Sequence, residues 1–374
     1  MREKLKNSAI SLLKDLISIK SFSSEEDHTA SRIEKWFNDN HIKCSRQNNN
    51  VYAVNKNFHK NKPTLLLNSH HDTVRPNSGY TKDPFKAEIN DGKLYGLGSN
   101  DAGGALVSLL ALFAFYYQKK NLKYNLLIAT TAEEEIAGKN SLKGLLKYLP
   151  KIDIAIVGEP TEMNMAIAEK GLIVFDAVIT GKASHAAHLN NDNAIMKLPS
   201  VLEWFKNFKF EKNSKLLGPV KITVTQLEAG REHNVIPGKV NLVIDVRVND
   251  KYKNKEIADI IIKNAPCKIT PRSLILESSN INKNHELVMS GIKIGIKTYG
   301  SPTLSDQAAL NCPSLKMGPG LSTRSHTANE FIYLKEIQEG IKIYIELLKN
   351  LSLIHISEPT RLLSISYAVV CLKK

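Results

Sequence analysis

The chain has 374 residues, more than one hydrophobic core usually serves, so a single small binding module is excluded and two domains are expected. Hydrophobic residues make up 42% and charged residues 24%, a globular balance that excludes a disordered, collagen-like or coiled-coil chain. The 51 Lys and Arg against 37 Asp and Glu give a net charge of +14, which admits nucleic acid, a membrane surface or an anionic small molecule as partner and does not choose among them.

Two amphipathic helices open the chain, one on Leu12, Leu13, Leu16 and Ile17, the next on Ile33, Trp36 and Phe37 after the acidic Ser24-Glu25-Glu26-Asp27. Thr64 to Asn68, Tyr124 to Thr130 and Ile152 to Val157 read as buried strands, and Ala105 to Tyr117 between them as a buried helix. Strands alternating with helices argue an α/β sheet. From Gly171 the texture changes. Leu172 to Ile179, Val220 to Gln226 and Val240 to Val248 alternate like strands with one wet face, and helices are expected over Ala194 to Phe208 and Lys255 to Asn264. Buried character returns with a helix over His285 to Thr298, a strand over Ser314 to Met317 and a long helix from Asn329 to Leu348. The expected organisation is therefore a catalytic domain in two pieces, 1–170 and 278–350, around an inserted α+β domain, 171–277.

Residues 351–374 fit neither pattern. Ile354-His355-Ile356-Ser357-Glu358-Pro359-Thr360-Arg361 resembles translated sequencing-adapter read-through, so this stretch is read as a non-native tail. The N-terminus lacks the apolar core and cleavage site of a signal peptide, and no stretch is apolar enough to span a bilayer. Cys44, Cys267, Cys312 and Cys371 form neither a disulfide framework nor a thiolate metal site. A cytoplasmic location is expected.

Candidate metal ligands fall at strand ends, where an α/β sheet builds its site. His70-His71-Asp72 follows the strand at Leu65, Asp101 lies in Gly98-Ser99-Asn100-Asp101-Ala102-Gly103-Gly104, and Glu133-Glu134-Glu135 follows Thr131. Glu159 follows Val157, and His326 stands downstream of Gly318-Pro319-Gly320. Imidazole with carboxylate suits zinc or a similar divalent ion, and many carboxylates with two histidines suit a pair of ions bridged by one carboxylate. Gly96-Leu97-Gly98 is a poor phosphate loop, since no Lys-Ser/Thr follows it.

On these motifs the chain resembles the dinuclear zinc deacylases and exopeptidases, a family that includes acetylornithine deacetylase, succinyl-diaminopimelate desuccinylase, aminoacylase and glutamate-releasing carboxypeptidases. The resemblance spans residues 1–350. It implies a mixed sheet flanked by helices in the catalytic domain and an inserted lid domain that also makes a homodimer. It implies two zinc ions, with cobalt as a possible substitute, held by His70, Asp101, Glu135, Glu159 and His326, with Asp101 as the bridge. Asp72 orients the His70 imidazole, Glu134 is the general base, and His71 is not a ligand. His185 in Gly181-Lys182-Ala183-Ser184-His185 reaches the partner subunit's site. Asn234 and Arg247 hold the substrate carboxylate, and Arg324 beside His326 helps choose the acyl group. Related proteins have a cis peptide after the bridging aspartate. Ser69, and Ala102-Gly103-Gly104, depart from the family's usual glycine and Met-Lys-Gly without removing a ligand or the base.

The implied activity is deacylation of an N-acyl amino acid, first of all N-acetylornithine in arginine biosynthesis. N-acetylcitrulline, N-succinyl-ornithine or N-succinyl-citrulline, N-acetyl-lysine, succinyl-diaminopimelate and dipeptides are the alternatives. A non-catalytic relative would lack a ligand or the base, and none is missing. Nucleic acid is not expected as a partner, because the basic residues are scattered and no nucleic-acid motif accompanies them. The charge instead suits steering of an anionic substrate.

Overall fold

The computed structural model describes residues 2–353. The central strand, Thr64–His70, is buried along its whole length, so its run of leucines faces packed layers on both sides. It pairs in parallel with Asn125–Thr131 on one side and Ile154–Val157 on the other. Around these three the sheet extends to nine strands. Asn50–Val54 and Ser45–Gln47 add antiparallel at one edge. At the other, Ser314–Lys316 adds in parallel to Ile154–Val157, followed by Met165–Glu169 and its neighbours Ser279–Asn280 and Thr298–Ser301. The helix Gly104–Tyr116 is buried almost all round, packed among this sheet, the first helix Arg2–Ile17 and the last, Leu334–Leu353.

A second, wholly antiparallel sheet is built from Lys221–Ala229, Lys239–Val248, Gly171–Thr180 and Lys268–Pro271. The alternating burial of Gly171–Thr180 and Lys239–Val248 gives it one dry face. That face closes on the helices Leu198–Asn207 and Asn254–Asn264 around Phe175, Ile244, Phe205 and Ile257, a core separate from that of the large sheet. The chain enters and leaves this unit at Gly171 and Ser278, which lie so close that a Cβ on Gly171 would stand 2.6 Å from the Ser278 backbone nitrogen.

The expectations for two helices are corrected. The helix expected over His285 to Thr298 runs only from Glu286 to Lys293, because Gly295 takes a positive φ and Ile296 N–H bonds back to the Gly291 carbonyl, ending the helix so that Thr298–Ser301 can become a strand. The last helix starts at Leu334 rather than Asn329, since Phe331–Tyr333 is drawn into a small sheet with Lys93–Tyr95. It also continues to Leu353, and Leu351 is buried in the main core. The described helix thus runs three residues into the stretch read as a tail, and the rest of that stretch, 354–374, lies outside the described residues. Removing a buried leucine costs about 2 kcal/mol or more. A chain ending at Asn350 should therefore unfold at a lower urea concentration than one ending at Leu353, and equal midpoints would refute the packing role given to Leu351.

Candidate metal centre

Because three of the central strands run parallel, their C-terminal ends open on one edge of the sheet, and His70, the Glu133–Glu135 turn and Glu159 all emerge there. Asp101 joins them from the turn before the buried helix Gly104–Tyr116, and His326 from the segment after Gly320. One ligand atom from each of His70, Asp101 and Glu159 lies within 4.8 Å of the others, and the same holds for Asp101, Glu135 and His326. Asp101 belongs to both groups. Its Oδ1 stands 3.4 Å from His70 Nε2 and its Oδ2 3.6 Å from His326 Nε2, which is also 3.1 Å from Glu135 Oε1.

Close backbone packing shapes this edge. Ser69 Oγ donates to the Gly158 carbonyl, and a Cβ on Gly158 would meet Leu109, Ser69 and Ala105. Gly318 is equally confined, with the Glu159 carbonyl 2.5 Å from where its Cβ would be. The Asp101–Ala102 peptide bond is cis. His71 turns away from the cluster, its Nε2 to the Asn49 carbonyl and its Nδ1 to Thr29 Oγ1, and burial pushes its pKa down to about 4.

Asp72 does more than face the imidazole. His70 Nδ1 lies 3.0 Å from the Asp72 carbonyl and 3.4 Å from Asp72 Oδ1, which leaves Nε2 toward the cluster. The same carboxylate accepts the backbone N–H of Glu134 on Oδ1 and that of Glu135 on Oδ2, with the Ser23 hydroxyl as a further donor. A second buried carboxylate, absent from the sequence-based reading, serves the loop before Asp101. Glu330 accepts the N–H groups of Gly98, Asn100 and Asp101 at 2.8–3.0 Å. Its only signal in the sequence was an acidic residue four positions after His326.

The donors fit divalent cations. Burial first, and then Asp101, push Glu159 and Glu330 each up to about 8, and burial with Glu159, Asp306 and Glu135 nearby raises Glu134 well above the carboxylate range against the pull of His70. Among the described residues the cavity is thus short of positive charge, and its nitrogen and oxygen donors suit borderline ions of the zinc type. A cavity of about 430 Å³ opens over both groups, with Glu134, Tyr299, Thr303 and the buried Lys316 in its wall.

Of the sequence-predicted residues, His185, Asn234, Arg247 and Arg324 neither join the two ligand groups nor line this cavity. His185 and Asn234 are exposed on the short ribbon Ser184–His185 and its paired turn, where Ala186 N–H bonds to the Asn234 carbonyl. The Arg247 guanidinium is held at both ends by its neighbour Asp245, at 2.9 and 3.0 Å. Arg324 is bidentate to Glu336, at 2.7 and 3.1 Å, and lies over the rings of Phe331 and Tyr333. Arg324 therefore ties the His326 segment to the helix Leu334–Leu353, and it would have to leave Glu336 before it could read an acyl group.

The model of peptidase family M20/M25/M40 matches residues 66–350. Succinyl-diaminopimelate desuccinylase of Rickettsia akari is 28% identical over 375 aligned positions, covering 90% of this chain and 97% of the relative. The M20 metallo-carboxypeptidase Sso-CP2 of Sulfolobus solfataricus superposes with a TM-score of 0.75 at 17% identity, covering 92% of this chain and 99% of that one. YXEP of Bacillus subtilis, described as a dinuclear metal-binding peptidase of the M20 family, gives 0.68 at 16% identity, covering 92% and 98%.

Leaving buried N–H donors unpaired costs about 1–3 kcal/mol each. Asp72→Ala should accordingly lower stability by about 3 kcal/mol in urea melts, while Ser23→Ala, which strips one donor from the same carboxylate, should cost under about 1.5 kcal/mol. Equal losses would contradict the role given to Asp72.

Proposed function

The chain belongs to peptidase family M20/M25/M40, and from that premise we propose that it hydrolyses the amide bond of an N-acyl amino acid with two zinc ions bound around Asp101. Its enzyme class is metal-dependent amidohydrolase. The observation that carries the finer reading is the sharing of one carboxylate by two ligand groups, with Glu134 in the wall of the same cavity. His70 and Glu159 would hold one ion, Glu135 and His326 the other, and cobalt would suit the same donors. The ions, when bound, supply Lewis acidity that lowers the pKa of water and polarises the scissile carbonyl.

Glu134 then carries the proton. Its carboxylate takes the proton of the attacking water and passes it to the leaving amine, and burial, which holds its pKa high, matches it to both tasks. Asp72 fixes the Glu134 backbone, so the carboxylate is aimed by the same group that orients His70. We assign the catalytic work to 1–170 and 278–350 and a lid and homodimer contact to 171–277, with His185 acting in the partner's site and Asn234 and Arg247 on the substrate carboxylate. The exposure of His185 and Asn234, away from their own chain's cavity, supports that reading, although Arg247 must first exchange Asp245 for the substrate. The setting proposed is cytoplasmic. No helix among the described residues is long and apolar enough to cross a membrane.

N-acetylornithine remains the first substrate to try. Relatives named succinyl-diaminopimelate desuccinylase favour a second, succinylated substrate in lysine biosynthesis. Amine release by the zinc-loaded protein from N-acetyl and N-succinyl forms of ornithine, citrulline, lysine and diaminopimelate distinguishes them. One preferred substrate is expected, and no release from any with two zinc ions bound would point to a peptidase or a non-catalytic role. Glu134→Gln should keep both ions and lose about 10²–10⁴-fold in kcat. Normal turnover in this variant would overturn the base assignment.

A further inference from the structure

We infer that Glu330 is a positioning residue for the shared ligand, fixing the Asp101 backbone so that one carboxylate can serve both ions; this rests on the two-ion reading above. Asp101 is the only residue common to the two ligand groups, so its placement is held to tighter tolerance than that of a terminal ligand. The loop that presents it cannot be fixed by ordinary helix or strand pairing. Asp101 itself has non-helical angles, φ −118° and ψ 99°, and Gly98 stands at φ +73°.

Glu330 supplies the missing partner. Its Oε1 accepts the N–H groups of Asn100 at 2.8 Å and Asp101 at 2.9 Å, and its Oε2 that of Gly98 at 3.0 Å. The Glu330 backbone carbonyl accepts the Gly96 N–H as well, at 3.0 Å. The side chain is 2% exposed, so these donors have no water to turn to if it is lost. From the other direction, Asn100 reaches the segment that carries His326. Its Oδ1 accepts the Leu321 N–H, and its Nδ2 donates to the Leu321 carbonyl. The loop of the shared ligand and the segment of the downstream ligand are thus locked together, with Glu330 as the accepting end of the lock.

A bidentate acceptor facing three donors is matched by a carboxylate and mismatched by an amide, whose NH2 would meet an N–H. Glu330→Gln and the shorter Glu330→Asp are therefore compared with His326→Ala and the wild type by zinc stoichiometry, competition with a chromophoric chelator, and thermal melts of the metal-free proteins. The expected result is that both Glu330 variants fold when metal-free but hold both ions about tenfold or more weakly, whereas His326→Ala weakens one ion only. If Glu330→Gln fails to fold, Glu330→Asp decides. Wild-type affinity for both ions in a folded Glu330 variant, or weakening of one ion alone, overturns the inference and leaves the two-ion reading standing. A wild-type protein that binds no zinc overturns both.

Discussion

Carboxylates crowded at the dry edge of a sheet cannot all stay ionised unless cations stand between them, and this electrostatic constraint organises the part of the molecule built on the large sheet. Parallel pairing of Thr64–His70 with Asn125–Thr131 and Ile154–Val157 delivers His70, Glu134, Glu135 and Glu159 to one edge whatever the side chains prefer. The cost of that convergence shows in the upward pKa of Glu159 and Glu134. Two imidazoles and the buried Lys316 offset it in part, Lys316 being tied to Glu169 and Thr303. Divalent ions would offset the rest, so the same crowding that destabilises the bare site gives it affinity.

Around this cluster the supporting contacts follow one pattern. A buried carboxylate accepts successive backbone N–H groups from the loop that projects a candidate ligand or the proposed base, as Asp72 does for Glu134 and Glu135 and Glu330 for Asn100 and Asp101. One step further out, Glu26 joins two loops, its Oε1 accepting the N–H of Ser24 in its own turn and that of Glu133. Loops at a sheet edge have no ladder partners of their own, and side-chain acceptors replace them. Rigid aim is obtained without extending the strands into the cavity.

Much of this was legible in the sequence, and the reasons for the rest are physical. The candidate ligands His70, Glu135 and Glu159 announced themselves because each follows a strand whose continuous apolar run, such as Leu65 to Leu67, suits burial in a parallel sheet. The supports were illegible because a buried acceptor carries no periodic signature: Glu330 reads like any acidic residue before a helix. The end of the helix at Lys293 turned on Gly295, whose positive φ is a local decision that apolar spacing does not record. Phe331–Tyr333 resembled the start of the following helix because its strand partner Lys93–Tyr95 lies far back in the chain. For Arg324 and Arg247 the structure adds partners that the sequence did not show. A guanidinium paired with a neighbour must leave it before it can meet a substrate, and Glu336 and Asp245 are those neighbours.

The two ligand groups differ in how much chain they require. His70, Asp101 and Glu159 all precede the entry into the second sheet at Gly171, whereas the group with Glu135 waits for His326, beyond the return at Ser278. During synthesis the donors of the first group leave the ribosome long before the second group can exist. Yet Asp101, which belongs to both groups, has its backbone held by Glu330 on that same late segment, so the first group also waits for the chain to return. The return of the chain to the large sheet thus brings the brace of the first group and the last donor of the second in one step, so both groups are completed by the same late segment.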